Sequence, residues 1–241
     1  MTVLKSFILA IAVALMTLIF GVVAIALSPF NPSGNLVHWF ARCWSRVLLR
    51  MASIPVRING LENVPMGRPC ILASNHASAA DIPILFGGLP FQFRVIAKDT
   101  LFKIPILGWC MRLAGYISID RGSPTKAMRS LKRAASRLQA GLPVLVFPEG
   151  TRNRSGDLQP FHKGAFLLAI ESGVPIVPIA IKGSFDILVS GSMAIRSGVE
   201  VSVQIGPPIE SSPFGRKERA QLTELVHSAV AGCLATPDHS S

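Results

Sequence analysis

The sequence predicts an α/β protein, in which a mixed, largely parallel sheet flanked by helices follows an N-terminal membrane-anchoring helical segment. The sheet is predicted because short apolar strands alternate with helical segments from residue 55 onward, a pattern typical of parallel sheets. The anchor is predicted because residues 7–27 are apolar and uncharged. We therefore expect an anchor over residues 1–54, a domain over 55–236 and a disordered tail over 237–241.

The first element, from Phe7 to Leu27, is rich in Ala, Ile, Leu and Val. As a helix it is long enough to cross a bilayer hydrocarbon core of about 30 Å. A cleaved signal peptide is the alternative, because Lys5 supplies a positive start and Ala24-Ile25-Ala26 resembles a cleavage site. Because the apolar run exceeds that of a typical signal peptide, we expect a retained anchor.

The second element, over residues 35–54, is amphipathic. Arg42, Arg46 and Arg50 recur every four residues and form one stripe on a helix that also carries tryptophans. Burying three arginines in a bilayer costs roughly 8–10 kcal/mol, against about 4 kcal/mol returned by the apolar residues. We expect this helix, with His38, to lie in the membrane interface with its arginines near lipid phosphates; a helix packed on the domain is the alternative.

The charge balance favours an anionic partner. The chain carries 24 Lys and Arg against 13 Asp and Glu, a net charge of +11. Nucleic acid, anionic lipid and a phosphorylated substrate all fit this charge, but no recognised nucleic-acid-binding motif accompanies it. Because basic residues without an acidic one follow the anchor up to residue 61, we expect a membrane protein whose domain faces the cytoplasm, at the inner membrane in a bacterium.

The cysteines indicate a reducing compartment. There are four of them, widely spaced and without a CxxC pair, at Cys43, Cys70, Cys110 and Cys233. This spacing argues against both a zinc site and a disulfide framework.

Seven short apolar segments in the domain predict β-strands. They are Val56–Asn59, Cys70–Ala73, Phe93–Ala97, Tyr116–Ile119, Pro143–Phe147, Ile176–Ile181 and Val199–Ile205. Pro175 and Pro178 predict that the sixth of them is an edge strand or that the prolines stand at its start, because proline donates no ladder hydrogen bond.

Three helices are predicted between and after these strands. The first begins at Ser123-Pro124 and ends at Gly141, and its exposed face carries basic residues at 126, 129, 132, 133 and 137. We expect that face to be solvated, with anionic-membrane contact as the alternative. The second spans Gly164–Ser172 and the third begins at Ser212-Pro213. Leu101–Leu113 is an apolar segment broken by proline.

His76 and Asp81 are the candidate catalytic pair. They stand between two apolar runs, where a strand ends and a helix begins. Five positions apart on one helix they would point away from each other, but across a strand-to-helix turn they can meet. Asp81 would then hold the proton on one ring nitrogen and leave the other free as a base. A helix cap or a satisfied polar residue is the alternative.

A second polar cluster follows the strand that ends at Phe147. Gly150 permits a sharp turn, Thr151 can donate a hydrogen bond, and Arg152 offers a fork that matches phosphate oxygens. Glu149 is either a second carboxylate or the partner that holds Arg152. Arg121 is a further candidate for phosphate contact, and its alternative is a surface ion pair with the preceding aspartate.

In order and spacing these blocks resemble the glycerolipid acyltransferase family typified by 1-acylglycerol-3-phosphate O-acyltransferases. The matching blocks are Asn75-His76 with Asp81, Gly115 to Arg121, Phe147 to Arg152, and Val174 to Pro178, and the segment from Lys98 to Pro105 resembles the family's linking segment. The resemblance covers about residues 60–205. Ala79-Ala80 departs from it, because many members carry a bulky aromatic residue there.

The resemblance implies transfer of a fatty acyl group from acyl-CoA or acyl-ACP to the hydroxyl of 1-acyl-glycerol-3-phosphate, giving phosphatidic acid in phospholipid biosynthesis. His76 would be the general base and Asp81 would stabilise its imidazolium. Substrate phosphate would be bound by Lys98, Arg121, Glu149, Gly150, Thr151 and Arg152. Because no GxSxG elbow and no metal-ligand cluster is evident in the sequence, we expect direct transfer with no metal and no cofactor beyond the acyl donor.

Two other interpretations stay open at this stage. An acyltransferase could use another lysolipid acceptor, such as a lyso-aminolipid or another lysophospholipid. A non-catalytic membrane protein could bind anionic lipid through its basic surface, although that interpretation leaves the pairing of His76 with Asp81 without a purpose.

Overall fold

The structure, a computed structural model, describes residues 3–120, 124–152, 156–187 and 195–236. Arg121 and the predicted tail over 237–241 lie outside these residues.

Within the described residues, seven strands form one sheet in the order β1-β7-β6-β2-β5-β3-β4. Neighbouring strands are parallel except for the antiparallel pair of β6 and β7, which confirms the mixed, largely parallel sheet. The strands are β1 Val56–Asn59, β2 Ile71–Ser74, β3 Arg94–Lys98, β4 Ile117–Ile119, β5 Val144–Val146, β6 Ile176–Lys182 and β7 Val201–Ile205.

Pro175 directly precedes β6, which agrees with a proline at the start of a strand, but the predicted position is wrong for Pro178. Strand β6 lies between β7 and β2, inside the sheet, and Pro178 is its third residue. Proline is tolerated there because β7 pairs with β6 only from Ile179 onward, so the missing N–H faces no ladder partner on that side. The carbonyl of Pro178 still accepts a hydrogen bond from the N–H of Gly206.

Helices cover both faces of the sheet. They are α1 Val3–Leu27, α2 Asn35–Met51, α3 Asp81–Gly88, α4 Leu107–Leu113, α5 Pro124–Gln139, α6 Gly164–Ser172, α7 Ser184–Ile187 and α8 Arg219–Ala235. Helices α2 and α3 pack on one face through residues such as Leu49 and Leu85. Helices α5, α6 and α8 pack on the other face through residues such as Leu138, Phe166 and Val226.

The C-terminal helix begins later than predicted. A 3-10 turn at Arg216–Glu218 precedes α8, which starts at Arg219 rather than near Ser212. The N–H of Gly215 donates to the Glu218 carboxylate over 2.7 Å. This hydrogen bond satisfies a backbone donor at the start of the turn and so favours a helix beginning there.

Residues Ile11–Phe30, which comprise most of α1 and the 3-10 turn after it, are long and apolar enough to cross a membrane by length and composition. Only 6% of these residues are buried within the protein. The contact of α1 with the rest of the chain runs through small residues: Gly21 and Ala24 are buried against α2 and α4. The anchoring role of this helix stays a prediction.

Helix α2 packs on the domain through one face, as the alternative interpretation held. Val37, Ser45 and Leu49 are buried on it, while Trp39 remains 49% exposed. From the predicted arginine stripe, Arg46 donates a hydrogen bond from Nε to the carbonyl of Gly87 in α3 over 3.0 Å. The position of the other face of α2 in a membrane interface stays a prediction.

The expectation that His38 lies in the interface is wrong. The side chain is fully buried among aromatic rings, and its Nδ1 lies 2.8 Å from the hydroxyl of Tyr116. Desolvation, with a smaller contribution from the positive charge of Arg94, lowers the pKa of His38 to about 3. The imidazole is therefore neutral at physiological pH, and it belongs to the core.

The turn between α1 and α2 is held to the sheet by Arg94. This arginine is fully buried at the start of β3, and its Nη2 donates to the carbonyl of Ser33 over 3.1 Å and to the Asn35 side chain over 2.6 Å. Its Nη1 donates to the carbonyl of Phe93 over 2.9 Å. These hydrogen bonds place the N-terminal helices against the domain.

Candidate active site

The candidate site lies at the carboxyl ends of β2 and β5. The two strands are parallel neighbours with Ala73 opposite Val146, so the residues that follow them meet at the same edge of the sheet. His76 follows β2 and Glu149 follows β5. Parallel α/β sheets place their ligand sites at this edge.

His76 and Asp81 meet as the strand-to-helix turn predicts. Nδ1 of His76 lies 2.8 Å from Oδ2 of Asp81, which is fully buried as the first residue of α3. A carboxylate accepts only, so Nδ1 carries the proton and Nε2 is left as a proton acceptor. The imidazole side chain is 17% exposed, which leaves the pair accessible to a substrate.

The Asp81 carboxylate is itself held in place. Its Oδ2 also accepts a hydrogen bond from the backbone N–H of Ser78 over 2.9 Å. Its Oδ1 is buried and has no hydrogen-bond partner among the residues that the structure describes. All of the carboxylate's protein hydrogen bonds therefore converge on the oxygen that faces His76.

The turn that carries His76 is fixed by the preceding asparagine. The side-chain amide of Asn75 donates to the carbonyl of Ile181 over 3.0 Å, and its oxygen accepts from the N–H of Ile181 over 2.7 Å. The side chain thus extends the β2–β6 ladder beyond Ser74. The sequence analysis included Asn75 only within a motif and assigned it no role. The feature of the sequence that could have indicated this role is an asparagine placed directly after an apolar strand.

Glu149 has a different role from the one predicted. Its carboxylate is buried; Oε1 accepts the backbone N–H of His76 over 2.6 Å and Oε2 accepts the N–H of Gln159 over 3.0 Å. Because both oxygens are occupied by backbone donors, Glu149 neither faces a phosphate nor forms an ion pair with Arg152. It positions the backbone of the candidate base.

The electrostatics of Glu149 fit this arrangement. Burial raises the pKa of the Glu149 carboxyl group above its ordinary value, and the two backbone hydrogen bonds and the nearby His76 offset part of that rise. The N–H donors thus favour the ionised carboxylate that the two hydrogen bonds require. Gly150 follows with φ +83°, a conformation that glycine adopts without strain, as the predicted sharp turn demands.

Phe147 is a contact that sequence reasoning did not assign. Its ring stacks on the imidazole of His76 with centroids 4.1 Å apart and planes 25° apart. The stacking limits rotation of the imidazole. The sequence presents Phe147 only as part of a motif, and no pattern there distinguishes it from the other phenylalanines.

The candidate phosphate ligands lie along the same edge. Lys98 ends β3, the other neighbour of β5, and is exposed. Thr151 and Arg152 follow Gly150 and are exposed too. Neither Lys98 nor Arg152 forms an ion pair with another described residue. Arg121 lies outside the described part of the chain, so its place at this edge stays a prediction.

An apolar cavity of about 270 Å³ lies between the N-terminal helices and the sheet. It is lined by Phe20 of α1, Ala41 of α2, Leu107 of α4, Ile82 of α3 and Ala97 of β3. Ile82 follows Asp81 and Ala97 precedes Lys98 in the chain. Two residues of the cavity wall are therefore the chain neighbours of Asp81 and of a candidate phosphate ligand.

Comparison with known proteins gives a consistent result. A family model described as Acyltransferase matches residues 55–182. A chloroplastic 1-acyl-sn-glycerol-3-phosphate acyltransferase from Brassica napus is 38% identical over 73% of this chain and 51% of its own length. A 1-acyl-sn-glycerol-3-phosphate acyltransferase from Saccharomyces cerevisiae is 32% identical over 89% of this chain and 72% of its own. The chain thus spans about half the length of the plant relative.

A solved structure shares the fold over the whole chain. It is the crystal structure of a 1-acyl-sn-glycerophosphate (LPA) acyltransferase from Thermotoga maritima, with a TM-score of 0.77 and 25% identity. The alignment covers 98% of this chain and 100% of that one. The similarity therefore includes the N-terminal helices as well as the sheet.

Proposed function

The chain belongs to the acyltransferase family, and we propose that it transfers a fatty acyl group from an acyl thioester to the free hydroxyl of 1-acylglycerol-3-phosphate, forming phosphatidic acid. The observation that carries this proposal is the hydrogen-bonded pair of His76 and Asp81 beside an apolar cavity. The pair supplies a general base, and the cavity has the chemistry to accept an acyl chain. The names of the relatives support the same acceptor.

Transfer needs no nucleophile from the protein. Nε2 of His76 takes the proton from the acceptor hydroxyl while the oxygen attacks the thioester carbonyl, and Asp81 stabilises the imidazolium that forms. The tetrahedral intermediate then expels the thiolate of the carrier, which takes the proton back from His76. One ester bond forms, one thioester bond breaks, and the base is restored.

The acceptor's phosphate is proposed to lie between the ends of β3 and β5. Lys98 and Arg152 supply positive charge there, and Arg152 can form two parallel hydrogen bonds to phosphate oxygens. The hydroxyl of Thr151 and the turn at Gly150 complete this group, and we include Arg121 on its sequence position. The Glu149 carboxylate is excluded from it by its two backbone contacts.

The apolar cavity is proposed to hold an acyl chain during transfer. Each methylene group that leaves water contributes about 0.8 kcal/mol, so a long chain gains substantially by entering. Part of the cavity wall comes from α1 and α2, the elements proposed to meet the membrane. The acceptor therefore reaches the site from the bilayer, while acyl-CoA or acyl-ACP approaches from the cytoplasm.

The test is acyl transfer by the purified full-length chain in mixed micelles, with lysophosphatidic acid and acyl-CoA donors of increasing chain length. We expect phosphatidic acid from the wild type. Ala41→Leu adds three carbon atoms to the cavity wall and is expected to lower transfer of the longest chains roughly tenfold relative to short ones, since about two methylene groups lose their place.

Ala220→Leu, at an exposed position on α8, is the matched control and should keep the wild-type chain-length profile. Product from another lysolipid but none from lysophosphatidic acid would refute the proposed acceptor. If Ala41→Leu kept the wild-type dependence of transfer on acyl-chain length, the proposal that the cavity holds an acyl chain would be refuted.

Glu149→Gln is expected to lower kcat about a hundredfold, because displacement of a catalytic group by about 1 Å is enough for such a loss. A glutamine has one acceptor oxygen and cannot hold both the His76 and the Gln159 N–H groups. Steady-state kinetics against lysophosphatidic acid separate this role from phosphate binding. Loss in kcat at constant KM supports positioning, whereas a raised KM with unchanged kcat would contradict it. Glu200→Gln, at a surface position, serves as the control.

A further inference from the structure

The segment of residues 101–113, which joins β3 to β4, exposes an unusual number of large apolar side chains. Leu101 is 39% exposed, Ile104 46%, Leu107 37%, Trp109 54% and Leu113 39%. After residue 51, the only other large hydrophobic residues exposed in the described chain are Met66 and Leu225. Soluble surfaces rarely group apolar side chains in this way, so the segment indicates a contact surface.

The same segment packs directly on the candidate membrane helix. A Cβ placed on Gly21 of α1 would come within 2.4 Å of Cγ2 of Ile106, so the side chain of Ile106 packs directly on the backbone of Gly21. The thiol of Cys110 donates to the carbonyl of Gly21 over 3.5 Å. On α1, Leu18 and Val22 next to this contact are 46% and 50% exposed. The exposed apolar surfaces of α1 and of residues 101–113 are therefore neighbours.

Helix α4 has two apolar faces with different surroundings. Met111 and Cys110 face the cavity together with residues of α1, whereas Trp109 and Leu113 face outward. A helix of this length cannot cross a bilayer, because spanning takes about 20 residues. An outward apolar face on so short a helix suits shallow insertion beside a spanning helix instead.

The charges around this face match a membrane surface. Lys103 and Arg112 are exposed within the segment, and Arg112 lies over the ring of Phe102 with its Cζ 6.0 Å from the centroid. Asp99, the sole acidic residue of the sequence between positions 82 and 119, is paired with Lys103 over 3.1 Å. Tryptophan and leucine bordered by Lys and Arg is the composition of interfacial segments, whose long basic side chains reach toward lipid phosphates.

We propose that residues 101–113 form a second membrane-contacting surface, which inserts shallowly into the leaflet that surrounds the cytoplasmic part of α1. Its occupant is a phospholipid bilayer that contains anionic headgroups. The surface holds the domain against the membrane and keeps the outer side of the cavity in contact with lipid. This inference concerns lipid contact alone and does not depend on the reaction proposed above.

The test uses the full-length chain with Trp109 as its sole tryptophan. The sequence has three tryptophans, so Trp39→Phe with Trp44→Phe leaves Trp109 alone. The protein is reconstituted in vesicles of phosphatidylcholine and phosphatidylglycerol, with or without brominated acyl chains. We expect brominated lipid to lower Trp109 fluorescence roughly twofold or more, because an interfacial side chain reaches the acyl-chain boundary. Aqueous acrylamide should quench it weakly.

The control places a single tryptophan by Leu225→Trp in a chain whose three native tryptophans are phenylalanine. Leu225 is 46% exposed on α8, on the other face of the sheet. Because it lies away from α1 and α4, it should be quenched by acrylamide and not by brominated lipid.

Each other outcome for Trp109 overturns the proposal. Quenching by acrylamide alone places the segment in water. If Trp109 is protected from both quenchers and this protection is lost when the protein is diluted into excess lipid, the surface binds a second copy of the chain, because dilution separates the copies. Because Trp44 donates to Thr17 over 3.1 Å, its replacement can disturb folding. In that case the difference between wild type and Trp109→Phe isolates the same fluorescence.

Discussion

Replacement of His76 by alanine is expected to lower kcat for acyl transfer to lysophosphatidic acid by about 10²–10⁴, the usual contribution of a general base. Among the described residues at the site, His76 is the only one whose imidazole is hydrogen-bonded to a buried carboxylate through one ring nitrogen and leaves the other nitrogen free. The substitution removes this imidazole. Binding of the acceptor phosphate should persist, because Lys98 and Arg152 are untouched. Transfer rates measured at saturating donor, with KM for the acceptor determined in parallel, test both statements.

His227→Ala is the matched control for this substitution. His227 lies on α8 and contacts the ring of Phe161, with centroids 4.8 Å apart, on the face of the sheet opposite α2 and α3. Its loss should leave the rate of transfer within about twofold of wild type, as expected for a group outside the reaction. Wild-type kcat in His76→Ala would eliminate the general-base mechanism. Equal losses in both variants would point to a folding defect instead.

The local structure of the domain could be predicted because it is encoded by short-range pattern. Apolar runs locate the strands to within a residue or two, as for β1. They also locate helix α6. The pair of His76 and Asp81 could be predicted for the same reason, since a single turn separates them. The order of the strands could not, because it depends on crossovers that leave no local trace.

The residues missed at the site are those whose partners lie far along the chain. Glu149 accepts a hydrogen bond from the backbone N–H of His76, which is 73 positions away. Every residue except proline has such an N–H group, so the sequence does not indicate which one a carboxylate will bind. His38 bonds to Tyr116 across 78 positions. Its burial follows from the packing of α2 on α3, which periodicity within α2 cannot specify. Tertiary packing therefore decided the roles that residue type alone left open.

Asp81→Asn is expected to lower kcat about a hundredfold through loss of charge, and not through the wrong tautomer that costs about 10⁴ in a Ser-His-Asp triad. Oδ2 of Asp81 accepts from both Ser78 N–H and His76 Nδ1. An asparagine that keeps its oxygen on Ser78 therefore also keeps it on Nδ1. The ring retains its proton on Nδ1, and Nε2 stays free to accept one from the substrate. What the variant loses is the negative charge that stabilises the imidazolium.

Asp81→Ala separates loss of charge from loss of the fixed tautomer. Alanine removes the carboxylate and leaves Nδ1 without an acceptor, so only a fraction of the imidazole keeps Nε2 unprotonated and the ring loses its fixed orientation. We therefore expect Asp81→Asn to retain more activity than Asp81→Ala. Nitrogen chemical shifts of His76 should show Nδ1 protonated and Nε2 unprotonated in the asparagine variant. Asp186→Asn, at an exposed position, controls for general effects of the substitution, and thermal unfolding compares the stability of the variants. If the alanine variant were the more active of the two, asparagine would have imposed the wrong tautomer and the shared acceptor oxygen would not fix the ring.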